Sequence, residues 1–194
     1  MADWNSELYL KFKAERTQPA HDLAARIPLR DARSILDIGC GPGNSTAAVA
    51  ARYPGARVLG VDSSENMVAA ACAAHPEFEF RVCEAPQGLD ALGGGFDIVF
   101  SNACLQWIPE HRTLLPALMR QLRPGGVLVY ATCTILPEEN EDQVSAFLAS
   151  HPEFEKTPFT LPGIGGCDGA VTLYPHRTGT DGFFICRMRR RSEE

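Results

Sequence analysis

The sequence contains no long apolar run, and its basic residues cluster only in the arginines near the C-terminal end. A membrane-spanning helix needs about 20 consecutive apolar residues, so none is expected. The first residues also lack the basic and apolar regions of a secretory signal. The formal net charge of -6 argues against a basic surface for nucleic acid phosphates. These absences predict a cytoplasmic protein without a membrane or nucleic acid partner.

The seven cysteines form no Cys-x-x-Cys pair and no cluster with histidine at the spacing of zinc ligands. Cysteines scattered through apolar stretches are typical of reduced thiols that pack as small hydrophobic side chains. The sequence therefore predicts free thiols and no metal site.

Short apolar runs alternate with longer helical patterns, which indicates βαβ units and a parallel sheet. Strands are predicted at residues 34–38, 57–61, 78–82, 96–100 and 127–133, and helices at 44–53, 64–74, 109–122 and 137–150. Two further strand candidates, near 171–174 and 182–188, flank a turn that indicates an antiparallel hairpin. The predicted fold class is α/β, a doubly wound Rossmann-like sheet of seven mostly parallel strands with a C-terminal antiparallel hairpin.

One domain is expected over residues 1–194, because a chain of this length can bury a single core. Helical patterns at 7–14 and 18–27 precede the first strand, and residues 1–30 are interpreted as a helical lid. Residues 154–168 are rich in proline and glycine and are predicted to form a loop.

A glycine-rich loop at residues 37–43, with the sequence Asp-Ile-Gly-Cys-Gly-Pro-Gly, follows the first predicted strand. Ligands of open α/β sheets bind beyond the carboxyl ends of the strands, where glycine lets the backbone come close. Asp62 ends the second predicted strand, and its carboxylate can accept both hydroxyls of a ribose, the alternative being a cap of the next helix. A dinucleotide fingerprint that begins at Gly39 needs glycine where Asn44 stands, so another nucleoside is favoured.

The spacing G-x-G-x-G after an acidic residue resembles motif I of the class I S-adenosylmethionine-dependent methyltransferases. The resemblance implies S-adenosylmethionine as cofactor and S-adenosylhomocysteine as product. By analogy, Glu84 lies near the adenine amine and Met67 covers the adenine or ribose edge. Each of three residues has an alternative interpretation. Glu84 would be a solvated glutamate, Met67 a core methionine and Trp107 a core tryptophan. The cofactor-binding residues predicted in this way are Asp37, Gly39, Cys40, Gly41, Gly43, Asp62, Ser63, Met67, Glu84, Ala85, Ser101, Asn102, Ala103 and Trp107.

Residues 4–126 resemble, more specifically, the trans-aconitate methyltransferases, which methylate a carboxylate of a small polyacid. The matching motifs are W-N-x-E-L-Y-L-K-F at 4–12, E-R-T-x-P-A at 15–20, L-D-I-G-C-G-P-G-N-S-T at 36–46 and S-N-A-C-L-Q-W-I-P-E-H at 101–111. The resemblance implies a small acid as substrate, and it implies that Tyr9 and Arg16 help to close the cofactor site. His111 is a weak catalytic candidate that could orient the acid, or else a solvated histidine at the start of a helix.

From Val127 onward the chain resembles the ribosomal-RNA cytosine-5 methyltransferases instead. The motifs are L-V-Y-A-T-C-T-I-L-P-E-E-N-E at 128–141 and L-Y-P-H-R-T-G-T-D-G-F-F-I-C-R at 173–187. In that family the cysteine at the position of Cys133 attacks the pyrimidine ring as a thiolate. The companion motif Asp-Ala-Pro-Cys is replaced here by Ser-Asn-Ala-Cys at 101–104. Cys133 is therefore only a weak catalytic candidate, and we interpret it as catalytically idle.

The change of resemblance near Gly126 motivates the hypothesis of a chimera, natural or engineered. In it, residues 127–194 complete the sheet begun by residues 31–126. Three functions follow: a methyltransferase for a small carboxylic acid, a cofactor-binding scaffold with little or no turnover, and an RNA cytosine-5 methyltransferase. The scaffold is considered because the insertion that forms the substrate pocket of trans-aconitate methyltransferases is missing after the fifth strand.

Overall fold

The computed structural model describes residues 17, 20–21, 23–25, 27, 31–102, 104–109, 111–132, 134–161, 163–178 and 182–191. The chain divides into two compact units, Met1–Arg123 and Pro124–Glu194. The first unit contains a parallel sheet, and the second contains antiparallel strands.

The first unit is built on four parallel strands, which are β1 (Ser34–Ile38), β2 (Arg57–Asp62), β3 (Glu79–Val82) and β4 (Ile98–Ser101). Their order in the sheet is β3-β2-β1-β4. The helices are α1 (Asn44–Arg52), α2 (Glu65–Ala74) and α3 (His111–Arg120), with short 3₁₀ turns at Leu89–Leu92 and Leu105–Trp107. These bounds lie within two residues of the predicted ones. None of the helices in the described part of the chain combines the length and apolar composition needed to span a bilayer.

Helices cover both faces of the parallel sheet, because the side chains of each strand alternate between the two faces. On one face, Ile35 of β1 packs in a cluster with Val49 of α1. On the other face, Leu36 of β1 packs in a second cluster with Leu114 of α3. Burial of a side chain of this size contributes about 1.5–3 kcal/mol, so the two clusters fix α1 and α3 on the sheet. The doubly wound arrangement of this unit therefore agrees with the prediction.

The second unit is built around a long central strand. Its strands are β5 (Val127–Thr132), β6 (Phe154–Lys156), β7 (Phe159–Leu161), β8 (Gly165–Cys167), β9 (Ala170–Leu173) and β10 (Phe183–Arg190). β10 pairs antiparallel with β5, β6 and β9, while β7 and β8 pair with each other. Helix α4 (Glu141–Ser150) packs Phe147 edge-on against Phe154, with ring centroids 5.6 Å apart, and the short α5 (Pro175–Thr178) precedes β10.

The predicted antiparallel hairpin is present as β9 and β10. The predicted single sheet of seven strands is found only in part. The parallel sheet has four strands, β5, β6, β9 and β10 form a second sheet, and β7 and β8 form a third. The predicted loop at 154–168 was wrong in detail, because it contains β6, β7 and β8. Strands of three residues are too short to show an alternating pattern, and pairing with distant strands is what forms them.

Candidate functional site

The loop after β1 lies at the carboxyl end of the parallel sheet, where it is fastened to β2. The N–H groups of Gly39 and Cys40 both donate to the Val61 carbonyl oxygen, at 2.8 and 3.0 Å. Gly39, Gly41 and Gly43 have positive φ angles of 72°, 52° and 90°. Residues other than glycine rarely adopt these values. The loop therefore turns sharply at the strand end and leads directly into α1.

Two of these glycines serve different purposes. A Cβ atom on Gly39 would lie 2.5 Å from Cys104 Cβ and would overlap the Cys104 sulfur. A Cβ atom on Gly41 would have no atom within 4 Å. Gly39 thus permits tight packing inside the protein, whereas Gly41 borders open space where a ligand can approach the backbone.

Asp62, the last residue of β2, lies directly beside this loop. One carboxylate oxygen accepts the N–H of Gly41 at 3.0 Å, and the other accepts the N–H of Ser64 at 2.9 Å. Because two carboxylate oxygens offer about four acceptor positions, Asp62 can accept further hydrogen bonds from a ligand. The Asp62 backbone carbonyl also accepts the N–H of Cys83 at 2.9 Å, which brings the end of β3 to the same edge.

Asp37 of β1 is fully buried on the face of the sheet that α1 covers. Its Oδ2 accepts hydrogen bonds from the hydroxyls of Ser45 and Thr46, both at 2.7 Å, whereas its buried Oδ1 has no partner. Burial raises the pKa of Asp37 to about 6, although the two hydroxyls lower it; the nearby charge of Asp62 raises it as well. The site therefore contains two neighbouring carboxylates: Asp62, which contacts the loop, and Asp37, which is buried.

The end of β4 is joined to the same region. The Ser101 hydroxyl donates to the Ile38 carbonyl oxygen at 3.0 Å, and Cys104 packs against Gly39. Burial raises the pKa of the Cys104 thiol to about 12, with smaller contributions from Asp62 and Asp37. A thiol with such a high pKa is not a thiolate nucleophile at neutral pH. Cys104 is therefore a packing residue of the site.

Several other predicted residues differ in how far they are exposed. Met67 of α2 is buried, Ser63 and Glu84 are exposed, and Ala85 is half-buried. Trp107 is 61% exposed, which is not the burial of a core aromatic residue. Asn102, next to Ser101, is half-buried. The cofactor roles of these residues remain predictions.

Some predicted residues lie outside the described part of the chain, namely Tyr9, Arg16, Ala103 and Cys133. His111 begins α3, and its side chain also lies outside the description. Among the described residues, no three His, Cys, Asp or Glu side chains are placed to hold a metal ion together.

The two hydroxyl partners of Asp37 were not among the predicted site residues. Ser45 and Thr46 are both buried in the first turn of α1, eight and nine residues after Asp37. A signal was available, because a carboxylate at the end of a buried strand needs donors and the following helix begins with hydroxyl residues.

Comparison with known proteins places this geometry in a family. Residues 35–126 match the family model of a methyltransferase domain, and residues 101–189 match that of the 16S rRNA methyltransferase RsmB/F. A trans-aconitate 2-methyltransferase of Azoarcus sp. (strain BH72) is 52% identical over 128 residues, which is 66% of this chain and 50% of that protein. The same enzyme of Variovorax paradoxus (strain S110) is 39% identical over 177 residues, 89% of this chain and 64% of that protein.

A solved methyltransferase structure has a similar fold. An O-methyltransferase from Bacillus cereus, in complex with SAH, has a TM-score of 0.62 and 18% identity, and the match covers 98% of this chain and 93% of that one. The chain belongs to the class I S-adenosylmethionine-dependent methyltransferases. It spans about half the length of the first curated relative that it matches. Within this class I methyltransferase, the first segment is similar to trans-aconitate methyltransferases and the second to RsmB/F enzymes.

The residues of this methyltransferase fit the cofactor of the family. S-adenosylmethionine carries a positive sulfonium and a positive ammonium group, and the site offers negative charge through Asp62 and the buried Asp37. Asp62 retains free acceptor positions beside the loop, and Gly41 borders open space. A ribose offers two hydroxyl donors, which a carboxylate can accept. The carboxylate acceptors and the open backbone therefore suit an adenosyl ligand.

Proposed function

We propose that this chain binds S-adenosylmethionine with the loop from Gly39 to Gly43 and the carboxylate of Asp62. The observation that supports this most directly is the contact between Asp62 Oδ2 and the Gly41 N–H, at 3.0 Å, because it places an acceptor with free capacity beside open backbone. Ser101 and Asn102, at the end of β4, are proposed to line the reacting end of the cofactor.

We further propose that the methyl acceptor is a carboxylate of a small acid such as trans-aconitate. Support comes from relatives named trans-aconitate 2-methyltransferase that are up to 52% identical. The chain spans about half the length of that relative, so the acceptor is proposed from the matched segment alone.

The chain's own contribution to such a reaction is positioning. S-adenosylmethionine, when bound, supplies a methyl group on a positively charged sulfur. An ionised carboxylate acceptor is already nucleophilic, so no residue has to remove a proton. Alignment of two bound reactants can lower a barrier by about 7–11 kcal/mol. Asp62 and the glycine loop would hold one reactant, while exclusion of water at the carboxyl ends of the strands would protect the reaction.

A cofactor-binding scaffold with little or no turnover is the second candidate. Two observations favour this candidate. The matches to the two family models overlap at residues 101–126, and the boundary between the two compact units lies between Arg123 and Pro124. A chimera of two methyltransferase segments would retain the cofactor loop of the first segment without the acceptor pocket of the relatives.

An RNA cytosine-5 methyltransferase is the third candidate, since residues 101–189 match the RsmB/F family model. In this case Cys133 would be the nucleophile. The net charge is -6, and Ser-Asn-Ala-Cys at 101–104 replaces the companion motif Asp-Ala-Pro-Cys, so we place this candidate last.

Calorimetry with S-adenosylmethionine and S-adenosylhomocysteine tests the shared premise. We expect wild-type protein to bind both, and Asp62→Ala to weaken binding by roughly 100-fold, because two hydrogen bonds to a charged group are lost. Asp90→Ala is the matched control, since Asp90 is an exposed carboxylate that pairs with Arg120 at 3.2 Å, in another part of the unit. Unchanged affinity in Asp62→Ala would refute the ribose assignment, and no binding by the wild type would refute the whole proposal.

Transfer of a radiolabelled methyl group separates the three candidates. Label in trans-aconitate supports the small-acid methyltransferase, whereas cofactor binding without product supports the scaffold. A covalent adduct with ribosomal RNA that disappears in Cys133→Ser supports the RNA methyltransferase.

A further inference from the structure

One buried carboxylate of the site is held by two hydroxyls from the same helix. Ser45 and Thr46 of α1 both donate to Oδ2 of Asp37, at 2.7 Å each. Asp37 and Thr46 have no solvent exposure, and Ser45 is 8% exposed. This arrangement fixes the carboxylate plane and leaves Oδ1 without a hydrogen-bond partner.

The charge state of Asp37 depends on a balance between opposing effects. Burial disfavours the ionised form most strongly, and the negative charge of Asp62 disfavours it further. The two hydroxyls favour the ionised form, because an O–H donor binds a carboxylate more strongly than a neutral acid. Since the balance puts the pKa of Asp37 at about 6, the carboxyl is mostly ionised at pH 7, but a modest further rise of its pKa would protonate it.

The other groups that face Asp37 cannot replace the hydroxyls. Asp62 from β2 carries the same charge, and Cys40 from the loop and Cys104 after β4 are thiols whose pKa burial raises. Both thiols are therefore neutral at pH 7. The described residues that shift the pKa of Asp37 include no positively charged side chain. Ser45 and Thr46 are the donors that favour its negative charge.

We propose that Ser45 and Thr46 are positioning residues of the cofactor site, which keep Asp37 ionised at neutral pH and thereby maintain the negative charge that a cationic cofactor needs beside the glycine loop. The proposal rests on the proposed binding of S-adenosylmethionine. Its new element is that two helix hydroxyls, neither of which has to touch the cofactor, set the pH range of binding.

The first test needs no ligand. Protein labelled with ¹³C at the aspartate carboxyl carbon reports the titration of Asp37 by NMR. We expect the double variant Ser45→Ala/Thr46→Ala to titrate roughly two pH units higher than wild type, because hydrogen bonds to a charged group have been removed. In the Ser45→Ala background, Thr46→Ser keeps the second hydroxyl, so this variant should titrate like Ser45→Ala alone, about halfway between wild type and the double variant. The single variants give a smaller shift and serve if the double variant does not fold.

Ser34→Ala is the matched control. Ser34, at the other end of β1, donates its hydroxyl to the carboxylate of Asp97 at 3.3 Å. Its loss removes a similar hydroxyl–carboxylate bond from the same strand, so it reproduces any general loss of stability. We expect no change in the Asp37 midpoint. An unchanged midpoint in the double variant, or an equal shift in Ser34→Ala, would overturn the proposal.

The second test follows the affinity for S-adenosylhomocysteine and S-adenosylmethionine between pH 5.5 and pH 8.5. If the competent form is the ionised one, an upward shift of two pH units lowers the affinity at pH 7 by roughly tenfold. The double variant should regain wild-type affinity at higher pH, which a merely distorted site would not do. A shifted titration with an unshifted binding profile would refute the link to the cofactor. No binding by the wild type at any pH would refute the proposed function, a result that the ligand-free titration distinguishes.

Discussion

The buried carboxylate of Asp37 has a measurable cost for the stability of the protein. The pKa of Asp37 rises from 3.8 to about 6 in the folded state. A raised folded-state pKa means that the folded protein binds more protons, so the stabilising contribution is complete below pH 3.8 and is lost as the pH rises through 6. Between pH 5 and pH 7.5 this loss amounts to about 1.4 kcal/mol.

Substitution of Asp37 by Asn removes the titration with little change in shape. The amide oxygen can still accept from Ser45 and Thr46, and the amide nitrogen takes the place of the unpartnered Oδ1. The absolute stability of the variant depends on how that amide fits. Its pH dependence does not, so the free energy of unfolding of Asp37→Asn relative to wild type should rise by about 1.4 kcal/mol between pH 5 and pH 7.5.

Urea unfolding followed by tryptophan fluorescence measures this difference in the relevant unit, because both tryptophans, Trp4 and Trp107, belong to residues 1–123. Each protein is unfolded at both pH values, and the two differences are subtracted. The reasoning is refuted if wild type and variant change by the same amount over this range. The variant should also bind S-adenosylmethionine more weakly, which would make Asp37 a group retained for function at the expense of stability.

Two further predictions concern the ends of β1. Gly39→Ala should destabilise the protein by about 3 kcal/mol, because the new Cβ overlaps Cys104 and the φ angle of 72° is strained. Gly55→Ala, with a φ angle of 89° and open space around the new Cβ, should cost only about 1 kcal/mol. Equal losses in urea unfolding would contradict the overlap. Burial raises the pKa of Asp97, but two backbone N–H donors at the start of β1 and the charge of Arg123 outweigh this, so the pKa lies below its ordinary value. The stabilising effect of the Asp97 carboxylate is therefore lost as the pH falls through the folded-state pKa. Asp97→Asn should lose about 2 kcal/mol at pH 7 and show a weaker decline of stability below pH 4 than wild type.

The sequence predicted the strand–loop–helix unit of the first segment because all its signals are local. The run at 34–38, the glycines up to Gly43 and the helix that begins at Asn44 lie within about 20 residues of one another. Asp62 was predicted to lie near the loop because parallel strands end at the same edge of a sheet, and its bond to Gly41 agrees with that.

Contacts between distant residues could not be predicted in the same way. Gly39 and Cys104 are 65 positions apart, and only the packing of β4 beside β1 brings them together. The choice of partner for β5 depends on backbone hydrogen bonds to β10, which begins more than 50 residues later. An alternating pattern says which face of a strand is buried, but it does not say which strand lies beside it.

By itself, then, the sequence determined the local elements, the glycine loop and the acidic residue that ends β2, because these follow from backbone preferences and short-range patterns. The tertiary structure decided how deeply Asp37 is buried, which hydroxyls meet it and what charge it carries at a given pH. Burial and hydrogen bonding are properties of the folded environment, and the same aspartate in an unfolded chain would be an ordinary acid.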